Sequence, residues 1–216
     1  MTGTLLVNNL AALLIVTSML VIAVRKPTLS ALLYAVQSLV LVLTFIALGK
    51  LLGSHELYLW SMSAFVTKVV LVPSIMFFAF RKMSDPKADK GVISTPILIL
   101  IAAIIVMVSF VAVSPVHLPM MDDLKPVLAV SLGHFLIGIL CIVSQRNILK
   151  QIFGYCLMEN GAHLTLALLA HGAPELVEIG IATDSIFAVI IMVLLARQIY
   201  RKLNTLDVRQ LTSLKG

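Results

Sequence analysis

Of 216 residues, 60% are hydrophobic and only 12% charged, and mean hydropathy is +1.08. Too few charges are present to cover the surface of a water-soluble domain of this size, which excludes that class. The formal net charge of +6 would suit a nucleic-acid partner, but its placement along the chain argues against one.

A bilayer core about 30 Å thick needs about 20 apolar residues per helix. Seven stretches qualify, at 5–24, 29–49, 57–80, 96–113, 124–143, 148–170 and 174–199. The fold class is therefore all-α integral membrane, with about seven transmembrane helices. The first stretch lacks a basic leader and a small-residue cleavage site, so it is expected to be an uncleaved helix. Pro73 and Pro126 suggest local kinks, and Ser114, Pro115 and Pro119 cut the fourth stretch short. With the amino terminus outside, thirteen Lys and Arg fall on inner segments, among them Arg25, Lys26, Lys87, Lys90, Lys150 and Lys215. Only Lys50 and Lys125 fall on outer ones. This positive-inside asymmetry predicts a periplasmic amino terminus and a cytoplasmic carboxyl terminus, and makes the basic surplus a topology device.

The first three and last three stretches read as two parallel copies of one unit, about 120 residues apart. Both open with a helix closing on a basic turn, Arg25-Lys26 and Arg146, and both leave on a basic pair, Arg81-Lys82 and Arg201-Lys202. The expected organisation is a three-helix unit over 1–82, a cytoplasmic loop and linking helix over 83–123, a second three-helix unit over 124–202 and a cytoplasmic tail over 203–216. The segment from Lys82 to Ser94 is expected to be a solvated connection. The tail, with Leu203, Leu206, Val208, Leu211 and Leu214, suits a short surface helix or docking on a neighbouring subunit.

Lys68, Glu159 and Asp184 each fall near the middle of an apolar stretch. One ionised group at bilayer centre costs roughly 2.5–3.5 kcal/mol, so three cost on the order of 8–10 kcal/mol. Such residues are retained when they face protein or water, and most often when they move charge. Burial disfavours the charged form and a nearby opposite charge favours it, so moving a partner toggles protonation. The candidate proton-relay residues are Glu159, Asp184, Lys68, His163 and His134. Glu159 and His163, at i and i+4, share a helix face. The alternative is that Lys68 and Asp184 form a buried pair that only orders the bundle. His55, His117 and His171 are expected at solvated helix ends, as are Asp122 and Asp123.

Cys141 and Cys156 lack the spacing of a metal or redox motif and read as small packing residues, as do Gly133, Gly138, Gly154 and Gly161. No phosphate loop, nucleophile elbow or zinc-protease motif is present. No catalytic residue, cofactor or metal ligand is assigned to this chain.

The run Arg146-Asn147-x-Leu149, Gly154, Asn160 and then Asp184-Ser185 resembles the three-helix K subunit of bacterial respiratory complex I and the C subunit of multisubunit cation/proton antiporters. That resemblance implies a membrane carboxylate on each of two helices. Asp184 takes the second position, while Cys156 occupies the first, with Glu159 three residues further on. The segment from Ser144 to Gly161, within a seven-span chain, is similar to the hydrogenase-4 component E family. Membership would imply a membrane-arm subunit of a nickel–iron hydrogenase or formate hydrogenlyase assembly in the bacterial inner membrane. Its partners would be antiporter-like and quinone-site-like membrane subunits, and through them nickel–iron hydrogenase and iron–sulfur subunits carrying the redox chemistry. Antiporter subunit and structural scaffold stand as alternatives.

Overall fold

The structure is a computed structural model that describes residues 2–83, 85, 88, 91–116 and 122–213. Lys87, Lys90, His117, Pro119, Leu214 and Lys215 lie outside the described residues. Seven long helices follow in order: α1 (Thr2–Ala23), α2 (Pro27–Leu52), α3 (His55–Lys82), α4 (Thr95–Val113), α5 (Lys125–Ser144), α6 (Ile148–Leu169) and α7 (Glu175–Leu203). Among the described residues there is no named strand, and the architecture is an all-α membrane bundle.

Six of these helices are long and apolar enough to cross a bilayer. The other, α6, has 22 residues, about 33 Å at the helical rise, but carries Glu159, Asn160 and His163. It can afford them because α6 is the axis of the bundle, packed against α2, α5 and α7. Its Asn160 and His163 are buried in protein. The α1–α2 hairpin lies against α5 and α6, and α3 bridges α2 and α7. By contrast, α4 touches mainly α5, and it and α7 have the least buried surfaces of the spans.

Local signals explain the boundaries. Pro27, Pro96 and Pro126 sit in first turns, where the missing N–H costs nothing, so Pro126 opens α5 instead of kinking it. Gly53, at φ 65°, closes α2, and Ser54 caps α3 by accepting from Leu57 N. Asn147 caps α6 by accepting from Leu149 N at 2.9 Å, which gives the Arg-Asn-x-Leu run a structural role. Inside α3, residues Phe65–Leu71 form a π-helical segment ahead of Pro73. In a regular helix the Pro73 ring would meet the carbonyl of Val69, and the wider turn relieves that clash.

The closest helix pair is α5 with α6. A Cβ on Gly161 would lie 2.5 Å from Phe135 N, and one on Gly154 would lie 2.8 Å from Gly138 O. A Cβ on Gly138 would meet Met158 N and, at 2.7 Å, Gly154 O. Only glycine permits this approach. Gly133 makes an ordinary contact, with Ser109 Oγ 3.4 Å from its would-be Cβ.

Two expectations are corrected at the end of the bundle where α1, α3, α5 and α7 finish. The tail does form a short 3-10 helix, Val208–Ser213, but it docks on its own chain: Asn204 turns it at φ 51°, and residues 206–208 pair with the α5–α6 turn. Ile148 N donates to Leu206 O at 3.1 Å and Val208 N to Arg146 O at 3.0 Å. The segment between α3 and α4 is not simply solvated either. Met83 and Ala88 are buried, and Asp85 Oδ2 accepts from Thr205 Oγ1 and Leu206 N, both at 2.9 Å. Lys150 is also buried, its ammonium donating to Val24 O.

Candidate functional site

The π segment of α3 presents Lys68 to the middle of α6. The buried Lys68 ammonium lies 2.6 Å from Glu159 Oε1 and donates to Asn160 Oδ1 at 3.0 Å. Ser185 on α7 donates to the other Glu159 oxygen at 2.8 Å. The Glu159 side chain is 13% exposed against 1% for Lys68. The pair is thus enclosed by α3, α6 and α7.

From Asn160 a chain of hydrogen bonds runs away through the bundle. Asn160 Nδ2 donates to Gln37 Oε1 on α2 at 2.9 Å, and Gln37 Nε2 donates to His134 Nε2 on α5 at 3.3 Å. His134 Nδ1 lies 3.1 Å from Ser18 Oγ on α1, whose own proton goes to Leu14 O at 2.6 Å. Lys68 can only donate, so each amide orientation follows in turn. His134 therefore carries its proton on Nδ1, and every donor in the chain points away from Lys68. Gln37, Asn160, His134 and Ser18 are all buried, and each is satisfied by this path. Two amides interrupt it, so it transmits polarisation better than protons.

A second cluster forms where α6 meets the start of α7. His163 Nε2 lies 2.7 Å from Glu178 Oε2, and both residues are buried. Phe45 and Trp60 flank the imidazole with ring centres 4.7 and 5.5 Å away.

Several expected pairings change. Lys68 pairs with Glu159, not Asp184. Glu159 and His163 share a helix but turn to different partners. Asp184 is exposed on the outer face of α7, because the residue that faces inward is its neighbour Ser185. The site thus joins Lys68, Glu159 and His134, places His163 in a separate pair and leaves Asp184 outside. Glu178, Gln37, Asn160, Ser18 and Ser185 were not singled out as relay candidates. The buried positions of α7, Glu178, Ala182, Ser185, Val189 and Ala196, recur at spacings of four, three, four and seven residues. That stripe of small and polar residues was readable, and it favours Ser185 over Asp184.

Of the remaining histidines described, His55 is exposed and His171 only half-buried. Asp122 pairs with Lys125 at 3.1 Å at the start of α5. Cys141 and Cys156 are free and buried. Among the described residues, no three His, Cys, Asp or Glu side chains are grouped as metal ligands would be.

Comparison with known proteins bears on the same helices. Residues 126–216 match the family described as NADH-ubiquinone/plastoquinone oxidoreductase chain 4L. Hydrogenase-4 component E of Escherichia coli (strain K12) is 60% identical over 216 residues, covering 100% of both chains. The protein of the same name in Shigella flexneri gives the same figures. An uncharacterized protein of Mycobacterium tuberculosis is 30% identical over 80 residues, 37% of this chain and 36% of its own. No solved structure matches.

Proposed function

The chain belongs to the hydrogenase-4 component E family, and on that premise we propose that it is a membrane-arm subunit of a hydrogenase-4 type complex that takes part in proton translocation coupled to the redox chemistry of its partners. The observation that carries this reading is the buried Lys68–Glu159 pair, held by Asn160 and Ser185 on helices within the chain 4L-like region and by the π segment of α3. A buried ion pair stabilises a fold poorly compared with apolar packing, so its retention favours a role in moving charge.

The chemistry is a proton exchange. With Lys68 in place, its ammonium lies 2.6 Å from the Glu159 carboxylate. Displacing Lys68 by a change in the π segment leaves a carboxylate in a low-dielectric bundle, which then takes a proton. Return of Lys68 expels it. Asp184, exposed on α7, faces outward at similar depth, where a neighbouring membrane subunit carries the proton onward. Antiporter-like and quinone-site-like membrane subunits are the partners proposed, with the nickel–iron and iron–sulfur centres on peripheral subunits beyond them. The amino terminus is periplasmic and the carboxyl terminus cytoplasmic in this reading, so a reporter fused at Gly216 reads cytoplasm and one near Asp122 reads periplasm.

The test uses membrane vesicles holding assembled complexes with Glu159→Gln or Asp184→Asn, assayed for proton uptake per hydrogen evolved. Both substitutions keep size while deleting the titratable proton. Proton uptake should fall while assembly persists. An unchanged ratio and rate in both variants would leave only a scaffold.

A further inference from the structure

We propose that His163 and Glu178 form a second proton-binding site, set between the Lys68–Glu159 pair and the end of the bundle closed by the α6–α7 turn, and that protons passing between that pair and that end of the membrane stop there. The proposal rests on the proton-translocation reading above and adds to it a site and a direction.

The placement comes from helix geometry. His163 is four residues beyond Glu159 on α6, about 6 Å toward the α6–α7 turn. Glu178 is seven residues before Ser185 on α7, which runs the opposite way, so it is displaced toward the same turn by about 10 Å. The two side chains meet at 2.7 Å across the α6–α7 contact. Beyond them lies the turn itself, with half-buried His171, whose carbonyl accepts from Ser54 Oγ at 2.6 Å.

The chemistry comes from what the pair leaves unmet. Buried polar atoms are almost always hydrogen-bonded, so exceptions ask for a reason. Both nitrogens of His163 and both carboxyl oxygens of Glu178 are buried without a well-aligned hydrogen bond among the described residues, the 2.7 Å Nε2–Oε2 contact included. So is Nε1 of Trp60, whose ring flanks the imidazole. Five orphaned polar atoms are thus gathered at one place, in contrast to the satisfied chain from Lys68 to Ser18. An imidazole nitrogen and a carboxyl oxygen without partners gain or lose a proton without breaking a hydrogen bond. At 2.7 Å the two groups are close enough for one proton to reside on either once they align. In a low-dielectric setting the ion pair and the neutral pair then compete closely, the condition for exchange.

The other charged groups set the sign of coupling. On the elements packed around His163, these are Lys68 on α3, Glu159 on α6 itself and the outward-facing Asp184 on α7, with His134 on α5 further along. Tyr34 lies on α2 well toward the other end, and Lys50 and Glu56 lie at the ends of α2 and α3. Once Lys68 has withdrawn, uptake of a proton by Glu159 removes one negative charge beside the second pair. That shift drives its proton outward.

Infrared spectra of the full chain in lipid, with isotope-labelled glutamate, should show a carboxylic carbonyl band that appears and disappears with pH. The band should shift in Glu178→Asp, vanish in Glu178→Gln and persist in Glu159→Gln. In vesicles of the assembled complex, Glu178→Gln should lower proton uptake per hydrogen roughly a hundredfold, while Glu178→Asp retains most of it. A pH-invariant carboxylate in the wild-type chain would overturn the site, and this measurement needs no variant to fold. Loss of uptake in Glu159→Gln with normal uptake in assembled Glu178→Gln would overturn the route through it and leave the first pair standing. Normal uptake in both would remove the proton-translocation reading and this proposal together.

Discussion

Lys68→Met deletes an ammonium that holds Glu159 and Asn160 at once, leaving a carboxylate enclosed by three helices. Breaking a buried pair from one side costs about 3–5 kcal/mol, so the single variant should lose folded yield in detergent, measured by fluorescence-detected size exclusion. Adding Glu159→Gln removes the stranded charge, and the double variant should recover most of that yield. A double variant no better than Lys68→Met would mean that the pair does not form. Asp184→Asn should leave the yield of the isolated chain unchanged, because its side chain is exposed and makes no hydrogen bond or ion pair among the described residues. Asp184→Cys should react with a polar maleimide in the isolated chain and be shielded in the assembled complex. Equal labelling in both would deny a partner at that face.

At the scale of the helix pair, Gly161→Ala should separate α5 from α6, because its Cβ would fall 2.5 Å from Phe135 N. Overpacking of this kind costs about 1–3 kcal/mol, and more when the obstacle is backbone. Gly180→Ala on α7 meets nothing within 4 Å and should raise the melting temperature of the isolated chain, since alanine gains about 0.5–1 kcal/mol over glycine in a helix. Thermal unfolding in detergent separates the two. The glycines of α5 and α6 were legible in sequence because small residues amid Leu and Ile have few other uses in a membrane helix. Helix phase was harder to read. Asp184 and Ser185 differ by 100° of rotation, and a helix apolar all round carries little contrast to fix which one faces inward. The sequence therefore leaves the partner of Lys68 open, because depth alone does not distinguish Glu159 from Asp184. The π segment escaped for a related reason: Pro73 marked a disturbance of α3, but not one that would widen the turn around Lys68.

Across the whole molecule, three segments distant in sequence close one end of the bundle through Asp85. Its carboxylate accepts from Thr205 and from Leu206 N, while the tail strand pairs with the α5–α6 turn. Asp85→Ala should leave a buried backbone donor without its partner, at about 1–3 kcal/mol. The tail after Asn204 should then be cut faster in limited proteolysis of the isolated chain, with the helices still protected. Unchanged cutting would mean that the strand pairing alone holds it. The tail and the 83–94 loop looked like solvent-exposed punctuation because their polar residues are those of any connection. What sets them apart is a single carboxylate whose acceptors are filled 120 residues away, and no local pattern announces that.

The one-way sense of the hydrogen bonds from Lys68 to Ser18 also makes His134 a reporter. With the ammonium in place, the imidazole keeps its proton on Nδ1 and its Nε2 lone pair toward Gln37. Once Lys68 withdraws, Asn160 and Gln37 are free to turn over, and the imidazole can exchange one tautomer for the other. Nitrogen NMR distinguishes a protonated from an unprotonated ring position directly, so the isolated chain contains its own gauge of where the lysine stands, read three helices away and without a transport assay.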